Sequence, residues 1–265
     1  MTQSTESTEL LPQNRTSPAG IVVVRKKGRG KLTAGINAVL ADTDPRGQIL
    51  LVYFVADESG SMDPHIGDLN DGLLTLQAAL QREPWAAGKV RFSVVGFSQT
   101  AFTYLEPADM RFLQGEMQPL TAQTTTSYTA AFDELYYRLS VDIPMLKQQG
   151  YFVNRPAVFF LTDGKPTGHE DWRAARSRVL GRPDKPNILA FGIGDADEHI
   201  VREIATKPDY AWMSMHGKDI AAALEEFFGS LTQSVISSGQ AVGGGSAELQ
   251  FERPEGFKMI VDIDD

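Results

Sequence analysis

Asp57, Ser59 and Ser61 leave the backbone at alternate positions of Asp57-Glu58-Ser59-Gly60-Ser61, one carboxylate and two hydroxyls, all oxygen donors. Oxygen donors without sulfur or imidazole suit a hard divalent cation. Three donors do not close a coordination sphere, so others must come from elsewhere in the chain. Two stretches offer them. Leu120 to Phe132 is rich in hydroxyls and contains Thr124, Thr125, Thr126 and Thr129, and Ala157 to Thr162 is an apolar run that ends in Asp163-Gly164. An isolated Asp-x-Ser-x-Ser arises easily by chance. The same pattern followed in order by a threonine loop and a strand-terminal Asp-Gly is far more specific. The competing reading makes Asp57, Ser59 and Ser61 simple helix caps, which leaves the threonine loop and Asp163 unexplained.

The elements that must position these residues are legible around them. Ile49 to Ala56 is a continuous apolar run bounded by Gly47 and a polar turn, as expected of a strand buried on both faces of a parallel sheet. Open α/β sheets bind ligands outside the carboxyl ends of their strands, where Asp57 would emerge. Ile66, Leu69, Leu73, Leu76 and Leu80 fall at helical spacing, with Pro84 and Gly88 closing the helix. Val90 to Ser98 reads as the next strand, and Phe102 to Leu120 as a connection with short strand-like pieces. A helix from Thr129 to Leu139 follows, capped by Thr126 or Ser127. Further strands are expected at Ala157 to Thr162, Asn187 to Gly194 and, last, Tyr210 to Ser214, with helices over 171–180, 198–205 and 219–236. Strands alternating with helices predict an α/β fold: a doubly wound, mostly parallel central sheet with helices on both faces.

At the site residues the sequence resembles the von Willebrand factor A (VWA) family, whose metal-ion-dependent adhesion site (MIDAS) is Asp-x-Ser-x-Ser, then Thr, then Asp. The resemblance runs from about Gln48 to about Ser234 and falls, residue by residue, on Asp57, Ser59, Ser61, Thr126 and Asp163. The family usually has Gly-Gly-Thr or Gly-Thr where this chain has Thr124 and Thr125 before Thr126, so Thr124, Thr125, Thr126 and Thr129 all stand as candidates for the ligating threonine. Glu58 occupies a position often smaller or neutral in relatives; it either points to solvent or tunes partner choice. Within the family the chain is similar to the bacterial TerY-like group, linked with tellurium-resistance and stress operons. The resemblance implies a protein-interaction module rather than an enzyme, with Mg²⁺ as the cellular ion and Mn²⁺ or Ca²⁺ able to substitute. A partner protein's Asp or Glu would take the remaining position on the metal. The implied partners are a metal-dependent protein phosphatase and a Ser/Thr kinase, in stress signalling.

Composition narrows the field. At 265 residues and 42% hydrophobic, the chain can bury a full core. A formal charge of −9 argues against nucleic acid and anionic membrane as partners. With no cysteine, disulfides, thiolate metal sites and cysteine nucleophiles are excluded. Met1 to Glu6 lacks the basic and apolar regions of a signal peptide, and no apolar run reaches about 18 residues, so the expectation is a cytoplasmic protein. Metal-assisted phosphoester hydrolysis is the alternative activity, but it needs a nucleophile, a base or a second metal, and no phosphate loop, Asp-x-Asp pair or His cluster supplies one. A metal-free VWA scaffold is the other alternative.

The expected organisation is a disordered tail over 1–19, an N-terminal extension over 20–47, the VWA domain over 48–236, and a Gly/Ser linker with an acidic tail over 237–265. The extension contains a short strand-like run, Ile21 to Val24, and a basic stretch, Arg25 to Lys31, that reads as a solvated edge and turn. In the tail, Glu248 to Phe251 or Met259 to Ile263 are candidates for an edge strand. Asp195 and Asp197 read as a helix-start acidic pair, and Trp85, Trp172 and Trp212 as packing residues.

Overall fold

The computed structural model describes residues 47–168 and 170–260. The expected tail 1–19, the extension up to residue 46 and the basic stretch Arg25 to Lys31 lie outside the described residues. The core is built on β1 (Gln48–Asp57), whose residues from Ile49 onward are all buried. β2 (Val90–Phe97) lies parallel on one side of it and β5 (Ala157–Thr162) parallel on the other. Outside β2 runs β3 (Ala101–Ala108), antiparallel; outside β5 come β6 (Asn187–Gly192), then β7 (Ala211–Ser214), both parallel, then β8 (Phe257–Met259), antiparallel. The two-residue β4 (Phe152–Val153) pairs with the start of β1. The strand order β3-β2-β1-β5-β6-β7-β8 reverses direction at β1, so the crevice of a doubly wound sheet opens beyond the ends of β1 and β5.

Side chains of β1 alternate between two cores. Leu50, Val52, Phe54 and Ala56 enter the layer covered by α1 (Ile66–Arg82) and α6 (Ile220–Gly243). Ile49, Leu51, Tyr53 and Val55 enter the layer covered by α3 (Tyr128–Gln148), α4 (Trp172–Leu180) and α5 (Glu198–Ile204). Aromatic rings join sheet to helix on each side: Phe54 meets Phe227 and Phe228 at 5.7 and 5.4 Å, and Phe160 stacks on Phe132 at 5.6 Å. One polar group pierces the second core, where Tyr53 donates to Asp142 at 2.7 Å and Arg138 pairs with the same carboxylate at 2.6 Å, so no member of the set is left unbonded.

The expected architecture is the observed one, with several local differences. β3 is a full eight-residue antiparallel strand where a connection was expected. α3 runs past Leu139 to Gln148 and carries Pro144 internally. Trp172 and Trp212 are buried as expected, whereas Trp85, on the short α2 (Pro84–Ala87), is 64% exposed. The largest difference is at the carboxyl end. The stretch 237–243, expected to be a flexible linker, completes α6. Its small residues are there for close approach: a Cβ added at Gly239 would stand 2.4 Å from Ala86 O.

Ser230, Ser234 and Ser238, four apart and buried, align on one face of α6 and bind the main chain of residues 250–252. Ser230 donates to Glu252 O, Ser234 Oγ accepts from Glu252 N at 2.9 Å, and Ser238 Oγ accepts from Gln250 N at 2.9 Å. The segment so held packs Leu249 and Phe251 on the first core and leads to fully buried Phe257 in β8, so Tyr210 to Ser214 is not the last strand. The edge strand forms at Phe257–Met259 rather than at Glu248 to Phe251, and residues 261–263 lie outside the described residues. Ending the chain after Ser246 removes this apolar surface and should lower unfolding free energy by about 3 kcal/mol or more. Urea denaturation measures it, and an unchanged midpoint would mean that the segment contributes nothing to the core.

Candidate metal centre

Asp57 closes β1 and Asp163 directly follows β5, so two neighbouring parallel strands deliver one carboxylate each to the same edge. The turn after β1 is fixed locally. Ser59 N donates to Asp57 Oδ1 at 2.9 Å and Met62 N to Ser59 O at 2.9 Å, which starts the 3-10 turn Gly60–His65 leading into α1. The Ser59 and Ser61 hydroxyls stand 3.1 Å apart, and Ser61 donates to Asp163 Oδ1 at 2.9 Å. Neither serine caps a helix through its side chain: at Ser59, the N-cap of the 3-10 turn, no such bond forms, and His65 rather than a serine precedes α1.

The threonine loop is clamped to the loop after β5. Thr167 N donates to Thr126 O at 2.8 Å, and Thr126 N donates to Thr167 Oγ1 at 3.2 Å. Glu170 accepts from Ser127 Oγ at 2.6 Å and from Tyr128 N at 2.7 Å. Ser127 Oγ in turn accepts from Ala130 N, so Ser127 is the cap of α3. Of the four candidate threonines, Thr126 is the buried one, at 5% exposure; Thr124 faces solvent, and Thr125 and Thr129 are half-buried.

Gly164 shows how these oxygens converge. The position a Cβ would take there lies 3.6 Å from Thr126 Oγ1, 3.9 Å from Ser61 Oγ and 4.0 Å from Asp57 Oδ2. The glycine leaves that cradle open. Asp57, Ser59, Ser61, Thr126 and Asp163 therefore form one group at the switch point of the sheet.

Burial pushes the Asp57 carboxyl up to about 6 against the bonds from Thr162 and Ser59 that favour its ionised form. Burial also raises Asp163, opposed by its bond from Ser61. Among the described residues no Lys or Arg pairs with either group; Lys165, the nearest in sequence, pairs with Asp197 at 3.2 Å. Nor do three or more His, Cys, Asp or Glu side chains gather anywhere among them to hold a metal. A cation held at Asp57 and Asp163 would therefore rely on the hydroxyls beside them, and the all-oxygen set fits a hard divalent ion.

Two participants were not foreseen. Thr162 donates to Asp57 Oδ2 at 2.6 Å; the register that pairs Ala56 with Leu161 puts it beside Asp57, information a strand pattern does not carry. Glu58, expected to point to solvent or tune partner choice, is 3% exposed and bonds to Thr121 N at 2.8 Å. Asp197 caps α5, as expected of a helix-start acid, and is not in the group. His65 approaches Asp68 at 3.4 Å.

No protein-family model matches the sequence, and no curated protein matches it. Solved structures do. The pilus adhesin SpaC from Lactobacillus rhamnosus GG, in an open conformation, aligns with a TM-score of 0.55 and 18% identity over 73% of this chain and 30% of its own. Proximal thread matrix protein 1 from the mussel byssus, with a zinc-occupied MIDAS motif, aligns with a TM-score of 0.52 and 12% identity over 71% of this chain and 48% of its own. A von Willebrand factor type A protein from Catenulispora acidiphila is also similar, at 18% identity and a TM-score of 0.45, over 71% of this chain and 43% of its own. The chain thus spans less than half the length of each of these proteins. The first two likenesses establish the fold, the doubly wound α/β arrangement expected from the sequence. Among the described residues no helix is long and apolar enough to cross a membrane.

In chelator-treated protein the raised Asp57 opposes folding once it ionises. Its folded value of about 6 exceeds the ordinary 3.8, so stability from this residue falls as pH rises between the two and is lowest above 6. Asp57→Asn should therefore be more stable than the parent at pH 7.5, on the order of 1–3 kcal/mol, with the gap closing as pH falls towards 4. Paired denaturation curves across that range measure it; a gap independent of pH would contradict the burial of the charge.

Proposed function

We propose that the chain is a metal-ion-dependent protein-interaction module. Asp57, Ser59, Ser61, Thr126 and Asp163 would hold one divalent cation, and a partner protein would dock on it with an Asp or Glu side chain. The observation that carries this reading is the convergence of Thr126, Ser61 and Asp57 oxygens on the open space above Gly164, beside two carboxylates that burial holds above their ordinary range. Mg²⁺ is the proposed ion, with Mn²⁺ or Ca²⁺ able to replace it. The bound ion would supply a point of positive charge at the sheet edge, attractive to a carboxylate from outside.

The chain's own residues do the rest. The neutral hydroxyls of Ser59, Ser61 and Thr126 add oxygens without adding negative charge, so two aspartates do not exhaust the attraction of a divalent ion. Asp57 is oriented by Ser59 N and Thr162 Oγ1 on separate oxygens, and Asp163 is oriented by Ser61. The set supports recognition over phosphoester hydrolysis, which needs a base, a nucleophile or a second metal beside the first.

The finer assignment rests on the sequence resemblance. By likeness to the TerY-like group, the module would serve bacterial stress signalling in the cytoplasm, with a metal-dependent protein phosphatase and a Ser/Thr kinase as partners. The charge of −9 fits a protein partner better than nucleic acid or an anionic membrane.

Calorimetric titration of chelator-stripped protein tests the site. Mg²⁺ and Mn²⁺ should bind at about one equivalent, as expected of one cluster of oxygen donors, and Asp57→Ala should lose the heat. Zn²⁺ joins the titration because the mussel protein holds it at a MIDAS motif. Capture of the phosphatase or kinase candidate should then fail in excess chelator; equal capture with and without chelator would rule out the metal bridge.

A further inference from the structure

Glu58 is a buried carboxylate that the proposed cation site does not use. It lies between two site residues in sequence, yet its side chain serves another loop. The carboxylate sits over Gly96, where an added Cβ would come within 2.2 Å of Oε2 and 2.7 Å of Tyr104 Cε2. Oε1 accepts from Thr121 N at 2.8 Å. The Tyr104 hydroxyl lies by the same carboxylate and stands 3.3 Å from Thr121 Oγ1. The Glu58 main chain contributes as well: its N donates to Phe97 O at 2.8 Å, and its O accepts from Gln123 N at 2.6 Å. Glu58 therefore grips the threonine loop twice, by side chain at Thr121 and by backbone at Gln123.

Asn70 on α1 grips the adjoining residue. Leu120 N donates to Asn70 Oδ1 at 2.8 Å and Asn70 Nδ2 to Leu120 O at 3.0 Å. Downstream the loop is held at Thr126 by Thr167. Between Gln123 and Thr126 lie only Thr124 and Thr125, the first exposed and the second half-buried. The upstream anchor of that short span is Glu58.

A glutamate beside a site rim would ordinarily keep its charge in water. Burying it without a basic partner is costly, and in return it gains the Thr121 N–H, a donor that bonds a carboxylate strongly. We infer that Glu58 is a positioning residue, which fixes the threonine loop and through it sets Thr126 against Asp57. This rests on the cation-site reading for its consequence, though not for its geometry.

The test uses the full chain and the variants Glu58→Ala and Glu58→Gln, with two readouts. Amide hydrogen exchange of residues 120–126, in chelator, reports the loop without any cation. Mn²⁺ calorimetry reports the site. Glu58→Ala should speed exchange at Thr121 and Gln123 and weaken Mn²⁺ binding about 10- to 100-fold, the usual scale for residues that orient metal ligands. Glu58→Gln keeps a carbonyl oxygen for Thr121 N–H and should restore both. Unchanged exchange in Glu58→Ala, or faster exchange with unchanged Mn²⁺ affinity, overturns the inference. If the parent itself binds no Mn²⁺, the cation reading fails while the exchange arm still decides whether Glu58 holds the loop. Should Glu58→Ala not fold, Tyr104→Phe removes the hydroxyl that lies by the carboxylate and Thr121 Oγ1 and is expected to move both readouts in the same direction, less far; no movement in either overturns the inference.

Discussion

Everything at the carboxyl edge of the sheet depends on a charge that has almost no water around it. Asp57 ends a strand buried on both faces, so its carboxylate is lodged in the protein by the same packing that makes β1 the centre of the fold. Desolvation of a carboxylate is expensive, and hydrogen bonds recover only part of the cost. Ser59 N and Thr162 Oγ1 supply such bonds, and still the group is held towards its protonated form. A second carboxylate, Asp163, sits nearby under the same pressure. Two desolvated acids that no Lys or Arg pairs among the described residues form an arrangement that a cation relieves.

Three loops from different parts of the chain must keep fixed positions for that relief to be available. The turn after β1 braces itself through Asp57 and Ser59. The loop after β5 is tied to the threonine loop through Thr167 and Glu170. The threonine loop has no regular structure of its own between Leu113 and Ser127, and it takes its shape from side chains of its neighbours: Asn70, Glu58, Thr167 and Glu170. Its rigidity is borrowed. The strands are exact in register and set where the two aspartates stand; the borrowed contacts set where Thr126 stands.

This division explains what could be read from the sequence. The strands β1 and β5 were visible because burial on both faces demands an unbroken apolar run, and the aspartates at their ends stood out against it. Thr126 came from the family resemblance and not from the residue pattern, which left four threonines open; what sets its position is its bonding to Thr167, forty-one residues away. Thr162 was hidden for a similar reason: only the register of β5 on β1 places it at Asp57. Of the two readings open for Glu58, solvent or partner choice, burial removes the first; its bond to Thr121 joins residues sixty-three apart, which no local pattern carries. The residues 237–243 were misjudged because glycine and serine make flexible linkers and also make helix faces that admit another chain closely, and composition does not separate the two. Gly239 against Ala86 and the buried serines of α6 belong to the second case.

Those serines have a consequence for how the molecule could be taken apart. Ser230, Ser234 and Ser238 address the main chain of residues 250–252 and no side chain of that segment. Leu249, Phe251 and Phe257 add apolar surface, and β8 adds a row of main-chain bonds to β7. All of these contacts lie beyond the turn at Gly244, Gly245 and Ser246. The peptide bond there carries none of them, so a nick at the turn would leave two pieces joined by the full interface. Residues 247–260 behave, in this sense, as a ligand that happens to be covalently attached, with its affinity concealed in the stability of the fold.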